Sequence, residues 1–343
     1  MKALMYTAPK TLELVEVPKP SAGVGEVLLK VMACAICGSD AHGWIGTNGR
    51  RIPPLVMGHE FSAQVEALGD GCTSLKIGDF VAVQPLTPCH ECPYCKKGMD
   101  NICPNRKVLG VFNNNGAMQE YVVMPEKHCF LLPEGTDFRV GALAEPFAVS
   151  YSAVKKAGDL YGKTVLIVGG GTIGLLALLA VKLQNPKMIV LSDISPSRLA
   201  VAEKLGAKFT INPAKEDFDK RIEEVFGGNK ADVTIEAVGA TPTVNQAITA
   251  TAPGGTCVWI GSDHKTVDVP MQYIVTQEIT IKGTYMFTHE EFGEALKNFV
   301  HLDMSVFTGN VVPLAKAAPM FEEMSSNPDK YLKCIINLSD NAE

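Results

Sequence analysis

The chain has 343 residues, 46% of them apolar and 20% charged, with 31 glycines and a formal net charge of −6. Such a length exceeds one ordinary core and predicts two domains, and the composition fits a soluble α/β protein while excluding a disordered or fibrous one. The acidic balance, with no basic tract, argues against a nucleic-acid partner, and no apolar run approaches the ~20 residues of a membrane helix.

Met1-Lys-Ala-Leu-Met-Tyr enters a strand-like pattern at once and lacks the layout of a signal peptide, so the cytoplasm is the expected compartment. Residues 1–90 read as β-rich, with apolar runs such as Leu12–Val17, Val27–Met32, Phe61–Leu68 and Phe80–Val83 broken by Pro and Gly clusters. Within this stretch Cys37-Gly-Ser39-Asp40-Ala-His42 precedes Gly58-His59-Glu60. Thiol, imidazole and carboxylate are zinc-binding groups, and a catalytic zinc keeps a position open for water or substrate. Taken alone, these residues are more simply a buried cysteine and a core histidine.

Cys89-His-Glu-Cys92-Pro-Tyr-Cys95 follows, with Cys103 beyond it, and seven of the ten cysteines lie before residue 104. A chain without an export signal uses clustered cysteines for metal more often than for disulfides. The spacing C-x2-C-x2-C-x7-C in a polar loop describes a closed four-thiolate site, and therefore a structural zinc. An iron–sulfur cluster is the other metal to weigh, because Pro104 follows Cys103, but its bacterial motif has three residues before the last cysteine where this chain has seven. Strand-like segments then run from Met118 to Pro133, and Glu145 falls in an apolar run. An unpaired charge there is costly; a helix-start carboxylate and a metal ligand both explain it.

From about residue 149 strands and helices alternate. Thr164–Val168 reads as a buried parallel strand, Gly169-Gly-Gly171-Thr172-Ile173-Gly174 opens an apolar helix, and Met188–Ser192 ends at Asp193. This is the dinucleotide fingerprint in its full context: glycines that admit a pyrophosphate, a helix N-terminus, and an acid for the ribose hydroxyls. A carboxylate at Asp193, followed by Ile194 and Ser195 with no arginine next to it in sequence, favours NAD over NADP. Four more strand candidates near residues 209, 232, 256 and 278 make six, a doubly wound Rossmann sheet. The tail offers a helix at Glu290–Val300 and a strand at Tyr331–Leu338, too little for a domain and expected to pack on the first.

Taken together and in this order, these motifs and Gly78-Asp-Phe-Val resemble the zinc-containing medium-chain alcohol dehydrogenases over essentially the whole length. Cys-Gly-Ser-Asp and Glu145-Pro146 point to the sorbitol and polyol branch. The resemblance implies a GroES-like, barrel-like catalytic domain from residues 1–148 and 286–343, with a NAD-binding Rossmann domain at 149–285. It implies two zinc ions per chain: a catalytic one on Cys37, His59 and Glu145, with Glu60 as an exchanging or outer ligand, and a structural one on Cys89, Cys92, Cys95 and Cys103. It further implies a proton relay from Ser39 to His42, cofactor contacts from Arg198, Val238, Ile260, Ser262 and Thr284, and a homodimer or homotetramer.

The implied reaction passes hydride from a secondary alcohol of a polyol or sugar-derived substrate to NAD. Oxidation of threonine or butanediol is the second reading, and a non-catalytic zinc- and NAD-binding relative the third. Three departures bear on the substrate, the first being Ala63 where the family has a glycine three residues after Glu60. Where sorbitol-type members carry a tyrosine six residues after the zinc cysteine, this chain has Gly43; where they carry Arg-Tyr after the sixth strand, it has Met286-Phe287. Trp44, Phe112 and Met118 are candidates for the pocket wall.

Overall fold

In the computed structural model, which describes residues 1–47 and 49–339, the chain divides into two units: Met1–Glu145 with Thr288–Glu343, and Pro146–Phe287. In the first unit the strand Glu26–Ala35 buries Val27, Leu29 and Val31 fully while Glu26 and Lys30 face outward, the alternation a half-buried strand requires. It is the spine of a seven-stranded sheet ordered Cys129–Leu131, Phe80–Val83, Glu60–Leu68, Glu26–Ala35, Ile335–Asn337, Val311–Pro313, with Tyr121–Pro125 also paired to it. A smaller sheet sets Lys2–Ala8 between Thr11–Glu16 and Leu55–Val56.

The C-terminal tail returns to this unit, its strand pairing antiparallel with Glu26–Ala35 through Ile335–Ala35 and Asn337–Ala33. The strand covers only Ile335–Asn337 rather than all of Tyr331–Leu338. Lys333 just ahead of it carries its charge inward to Glu60, a placement taken up below. Trp44 and Met118 are core residues rather than pocket wall: Met118 is fully buried and Trp44 packs on Phe321 with ring centroids 6.3 Å apart. Phe112 is the one of the three left exposed. Phe287, in the second unit, is also fully buried.

A histidine pair, His128 buried and His289 half-buried, braces the helix His289–Phe299 of the first unit. Gln84 Oε1 lies 3.0 Å from His128 Nδ1 and 2.7 Å from His289 Nδ1, within hydrogen-bond distance of both rings. Burial, aided by the charges of His289, Lys127 and His90, lowers the His128 pKa to about 3. Its folded value therefore lies below the unfolded one, so the unfolded chain binds the extra proton between the two. Stability from this group is full above about pH 6.5 and falls by roughly 1.4 kcal/mol per unit as pH drops below it. His128→Gln, which keeps a donor to Gln84 but does not titrate, is expected to flatten that slope in urea unfolding between pH 7.5 and 5; an unchanged slope would clear His128 of the effect.

The second unit is a six-stranded parallel sheet ordered Phe209–Ile211, Met188–Ser192, Thr164–Val168, Ala231–Glu236, Thr251–Trp259, Thr280–Gly283. The order reverses between Thr164–Val168 and Ala231–Glu236, the point at which doubly wound sheets bind ligands beyond their strand ends. Both fold expectations, a Rossmann sheet and a separate β-rich unit, are met. No helix among the described residues is long and apolar enough to cross a membrane.

Candidate functional site

The first cluster is assembled from two ends of strands and one helix start. Cys37 precedes the helix Gly38–Ile45 in an extended conformation, His59 precedes the strand Glu60–Leu68, and Glu60 begins it. One ligand atom each from Cys37, His59 and Glu60 lies within 4.8 Å of the others. Glu145 stands outside that set. It is the second residue of the helix Ala144–Ala157, and burial, with Glu60's charge adding to it and His59's opposing, pushes its carboxyl up to about 8. Cys37, His59 and Glu60 thus form the set that converges within that distance, and Glu145 is close enough to feel the charges of His59 and Glu60.

Asp40 ties these groups together. Its fully buried carboxylate accepts from Arg51 Nε at 3.2 Å and Nη2 at 2.7 Å, and from the amide of Cys37 at 3.4 Å. His59 Nδ1 approaches it at 3.6 Å, beyond hydrogen-bond length but within reach of an ion pair. Burial opposes the charge on Asp40, yet His59 and Arg51 overcome it and hold the carboxyl well below its usual range. Burial likewise opposes charge on His59, and Asp40 and Cys37 raise its pKa well above normal in spite of it. With Nδ1 turned to Asp40, Nε2 is the nitrogen left for a metal, and a carboxylate behind a ligating histidine fixes its orientation. Thiolate, imidazole and carboxylate in one buried cluster fit zinc.

Ser39 joins the cluster by its hydroxyl, which donates to Cys37 Sγ at 3.3 Å and accepts from Arg51 Nη2 at 2.9 Å. His42, one helical turn on, is exposed. Arg51 was not visible as a site residue in the sequence; the signal that could have found it is Gly43. A Cβ at Gly43 would lie 2.4 Å from Arg51 Cγ, so the missing side chain is the channel through which the guanidinium reaches Ser39 and Asp40. Gly43→Ala is expected to cost about 1–3 kcal/mol, as overpacking does, because Arg51 is anchored at its far end and yields poorly. Unfolding by denaturant measures this, and an unperturbed midpoint would show that Arg51 does not need the slot. Lys333 was the second omission: its ammonium donates to both oxygens of Glu60, and Glu60 and Cys37 raise its pKa against the opposing effect of burial.

The second cluster is the cysteine loop. Cys89–Cys103 and Cys92–Cys95 sulfurs are 3.4 Å apart, Cys89–Cys95 and Cys92–Cys103 3.9 Å. Four thiolates around a zinc at about 2.3 Å have a tetrahedral edge of about 3.8 Å, so the loop is folded to that size. The cysteine amides reinforce it, with Cys95 N and Cys89 N each 3.4 Å from a neighbouring sulfur.

In the second unit the expected cofactor residues gather at the C-terminal ends of the parallel strands. Gly169 follows Thr164–Val168, Asp193 follows Met188–Ser192, Val238 lies just past Ala231–Glu236, Ile260 and Ser262 past Thr251–Trp259, and Thr284 past Thr280–Gly283. A Cβ on Gly174 would lie 1.8 Å from Gly169 O, so helix and strand pack too closely for any other residue. Gly171, by contrast, faces open space and caps the helix Thr172–Lys182 with no side-chain bond. Open backbone at a helix N-terminus, with unsatisfied amides and a positive dipole end, suits a pyrophosphate. Asp193 accepts from Gly170 N at 2.6 Å and Ser195 N at 2.8 Å, and Arg198 Nη1 is 3.7 Å from it.

Known dehydrogenases resemble this chain over most of its length. Residues 23–134 match the family model described as alcohol dehydrogenase GroES-like domain, and residues 172–301 match that described as zinc-binding dehydrogenase. The chain is similar to the sorbitol dehydrogenase of Ovis aries, 36% identical over 83% of this chain and 82% of that protein. It is also similar to the L-threonine 3-dehydrogenase of Pyrococcus furiosus, 35% identical over 82% of each. Among solved structures, an Escherichia coli oxidoreductase of unknown specificity has a TM-score of 0.94 at 31% identity, covering 99% of both chains.

Proposed function

The chain belongs to the zinc-containing medium-chain alcohol dehydrogenases, in the polyol dehydrogenase branch, and from that premise we propose that it oxidises a secondary alcohol of a polyol or sugar-derived substrate to a ketone, with NAD as acceptor. The cluster of Cys37, His59 and Glu60, with the Ser39 hydroxyl on the thiol, carries the reading. These three residues would hold the catalytic zinc, with buried Glu145 beside them as the further ligand that the resemblance implies, and the four cysteines would hold a structural second ion. The catalytic zinc supplies a Lewis acid that makes an alcohol easier to deprotonate. NAD supplies the hydride acceptor. Gly169, Gly171, Thr172, Ile173 and Gly174 would hold its pyrophosphate, Asp193 and Arg198 its adenosine ribose, and Val238, Ile260, Ser262 and Thr284 its nicotinamide end. Dimers or tetramers are the assembly the family resemblance suggests.

The chain's own groups divide the proton work. Ser39 Oγ, held by Arg51, would take the substrate's hydroxyl proton as its own hydrogen is passed on towards His42. Exposed His42, one helical turn from Ser39, is the group that would hand such a proton to water. Asp40 keeps His59 oriented. Similarity to sorbitol dehydrogenase supports the polyol class. The near-equal similarity to a threonine dehydrogenase keeps an amino alcohol as the second reading.

The test is a panel of polyols, sugar phosphates, short diols and threonine on the zinc-loaded protein, with NAD reduction followed by absorbance. A polyol or sugar derivative is expected to give the highest kcat/KM. Threonine or butanediol outrunning them would move the assignment to the second reading, and no turnover on any of them would remove the catalytic one.

A further inference from the structure

Glu236 ends the strand Ala231–Glu236, beside the point where the strand order of the second unit reverses, and it is fully buried. A carboxylate withdrawn from water is costly unless its oxygens are bonded. Here Oε1 accepts from Val238 N at 3.0 Å, from Gly239 N at 2.7 Å and from Thr243 Oγ1 at 2.7 Å. Oε2 is buried with no hydrogen-bond partner among the described residues. The main-chain oxygen of the same residue accepts from Ile260 N at 2.8 Å and Gly261 N at 3.2 Å. One residue therefore gathers four amides, two from the loop that follows its own strand and two from the loop that follows Thr251–Trp259.

The two loops are also joined to each other. Asp263 N donates to Val238 O at 3.3 Å, and His264 N donates to Gly239 O at 3.0 Å. A Cβ on Gly239 would lie 2.3 Å from Ser262 N, and one on Gly261 would lie 2.2 Å from Gly239 N, so backbone packs on backbone with no side chain between. Such close packing leaves little slack, and the bonds to Glu236 fix where the joined loops stand above the sheet. Bonds to an ionised group are about twice as strong as neutral ones, so a neutral amide of the same size would hold the first loop less firmly. Loops held in their bound shape before a ligand arrives lose less entropy when it binds. Resting on the reading of Val238, Ile260 and Ser262 as the nicotinamide end of the NAD site, we propose that Glu236 is a positioning residue that presets both loops for that end of the cofactor. It acts through the loop backbones, and the half of the cofactor held by the glycine turn and Asp193 does not depend on it.

The test titrates the zinc-loaded full chain in a calorimeter with NADH and, separately, with ADP-ribose, which lacks the nicotinamide. Glu236→Gln is expected to weaken NADH binding about tenfold, the order of effect when bonds to a charged group become neutral ones, and to leave ADP-ribose within about twofold of wild type. ADP-ribose weakened as much as NADH overturns the proposal, because the loss would then belong to the whole unit. NADH binding equal to wild type overturns it as well. If the glutamine variant does not fold, Thr243→Val, which removes one of the three donors to Oε1, takes its place with an expected loss of about threefold for NADH alone and the same overturning results. A wild-type chain that binds neither ligand overturns the NAD reading itself. A wild-type chain that binds both, matched by Glu236→Gln, removes only the positioning role and leaves that reading standing.

Discussion

Cys37→Ala is expected to remove one of two zinc ions per chain and to lower alcohol oxidation by about three orders of magnitude, leaving the cysteine loop loaded. The estimate follows from the donor set. Without the thiolate, His59 and the proposed ligand Glu145 are left with a Glu60 that is shared with Lys333, which is fewer than three uncommitted donors. A zinc site needs at least three protein ligands, so the ion should leave. A catalytic metal is worth several kcal/mol of transition-state stabilisation, and each 1.36 kcal/mol is a factor of ten, so about 4 kcal/mol gives about a thousandfold. Cys103→Ser should do the reverse, releasing the other zinc and lowering the unfolding midpoint while the first ion stays. Elemental analysis beside the rate assay separates the two. If Cys37→Ala kept both metals and its activity, the Cys37 cluster could not be the catalytic centre.

The parts of this molecule legible in the sequence are those that local spacing encodes. Gly169 to Gly174 with Asp193 announced both the Rossmann sheet and its ligand-binding end, and the structure sets every one of these residues past a strand terminus. The four cysteines announced a tetrahedral cage because their spacing lies within one loop. What could not be read is pairing across long sequence distance. Lys333 stands 273 residues from Glu60, inside what reads as an apolar strand, and only the pairing of Ile335 with Ala35 reveals it as a partner. Arg51 is near in sequence, but its path depends on the absence of a side chain at Gly43, a steric fact with no motif. The preference for Glu145 over Glu60 as a ligand came from resemblance. In a strand, neighbouring residues point to opposite faces, which would hold His59 and Glu60 apart if both belonged to one. They do converge, because His59 lies just outside the strand that Glu60 begins.

Asp193→Gly and Asp193→Asn are expected to relax the choice of cofactor in different ways. In the structure the carboxylate's oxygens accept from Gly170 N and Ser195 N, which fixes the glycine turn to the end of the neighbouring strand, and on the proposed reading it has a second role, its charge facing the adenosine ribose. Only the second role discriminates against an extra phosphate. At about 4 Å and an effective dielectric near 20, two like charges repel by about 4 kcal/mol, and each 1.4 kcal/mol is tenfold, so the charge supports a preference of two orders of magnitude or more. Asn keeps the shape and one acceptor, so kcat/KM with NADP should rise about a hundredfold with NAD nearly unchanged. Gly loses both amide contacts as well, so efficiency with NAD should also fall. In either variant Arg198, 3.7 Å from the carboxylate in the native chain, becomes available to a phosphate. Adding Arg198→Ala to Asp193→Asn should therefore cancel most of the gain with NADP. Steady-state kinetics with both cofactors decide the matter. An NAD-to-NADP ratio that stays at the wild-type value in Asp193→Asn would mean the charge takes no part in the choice, and that Asp193 serves only to hold the turn.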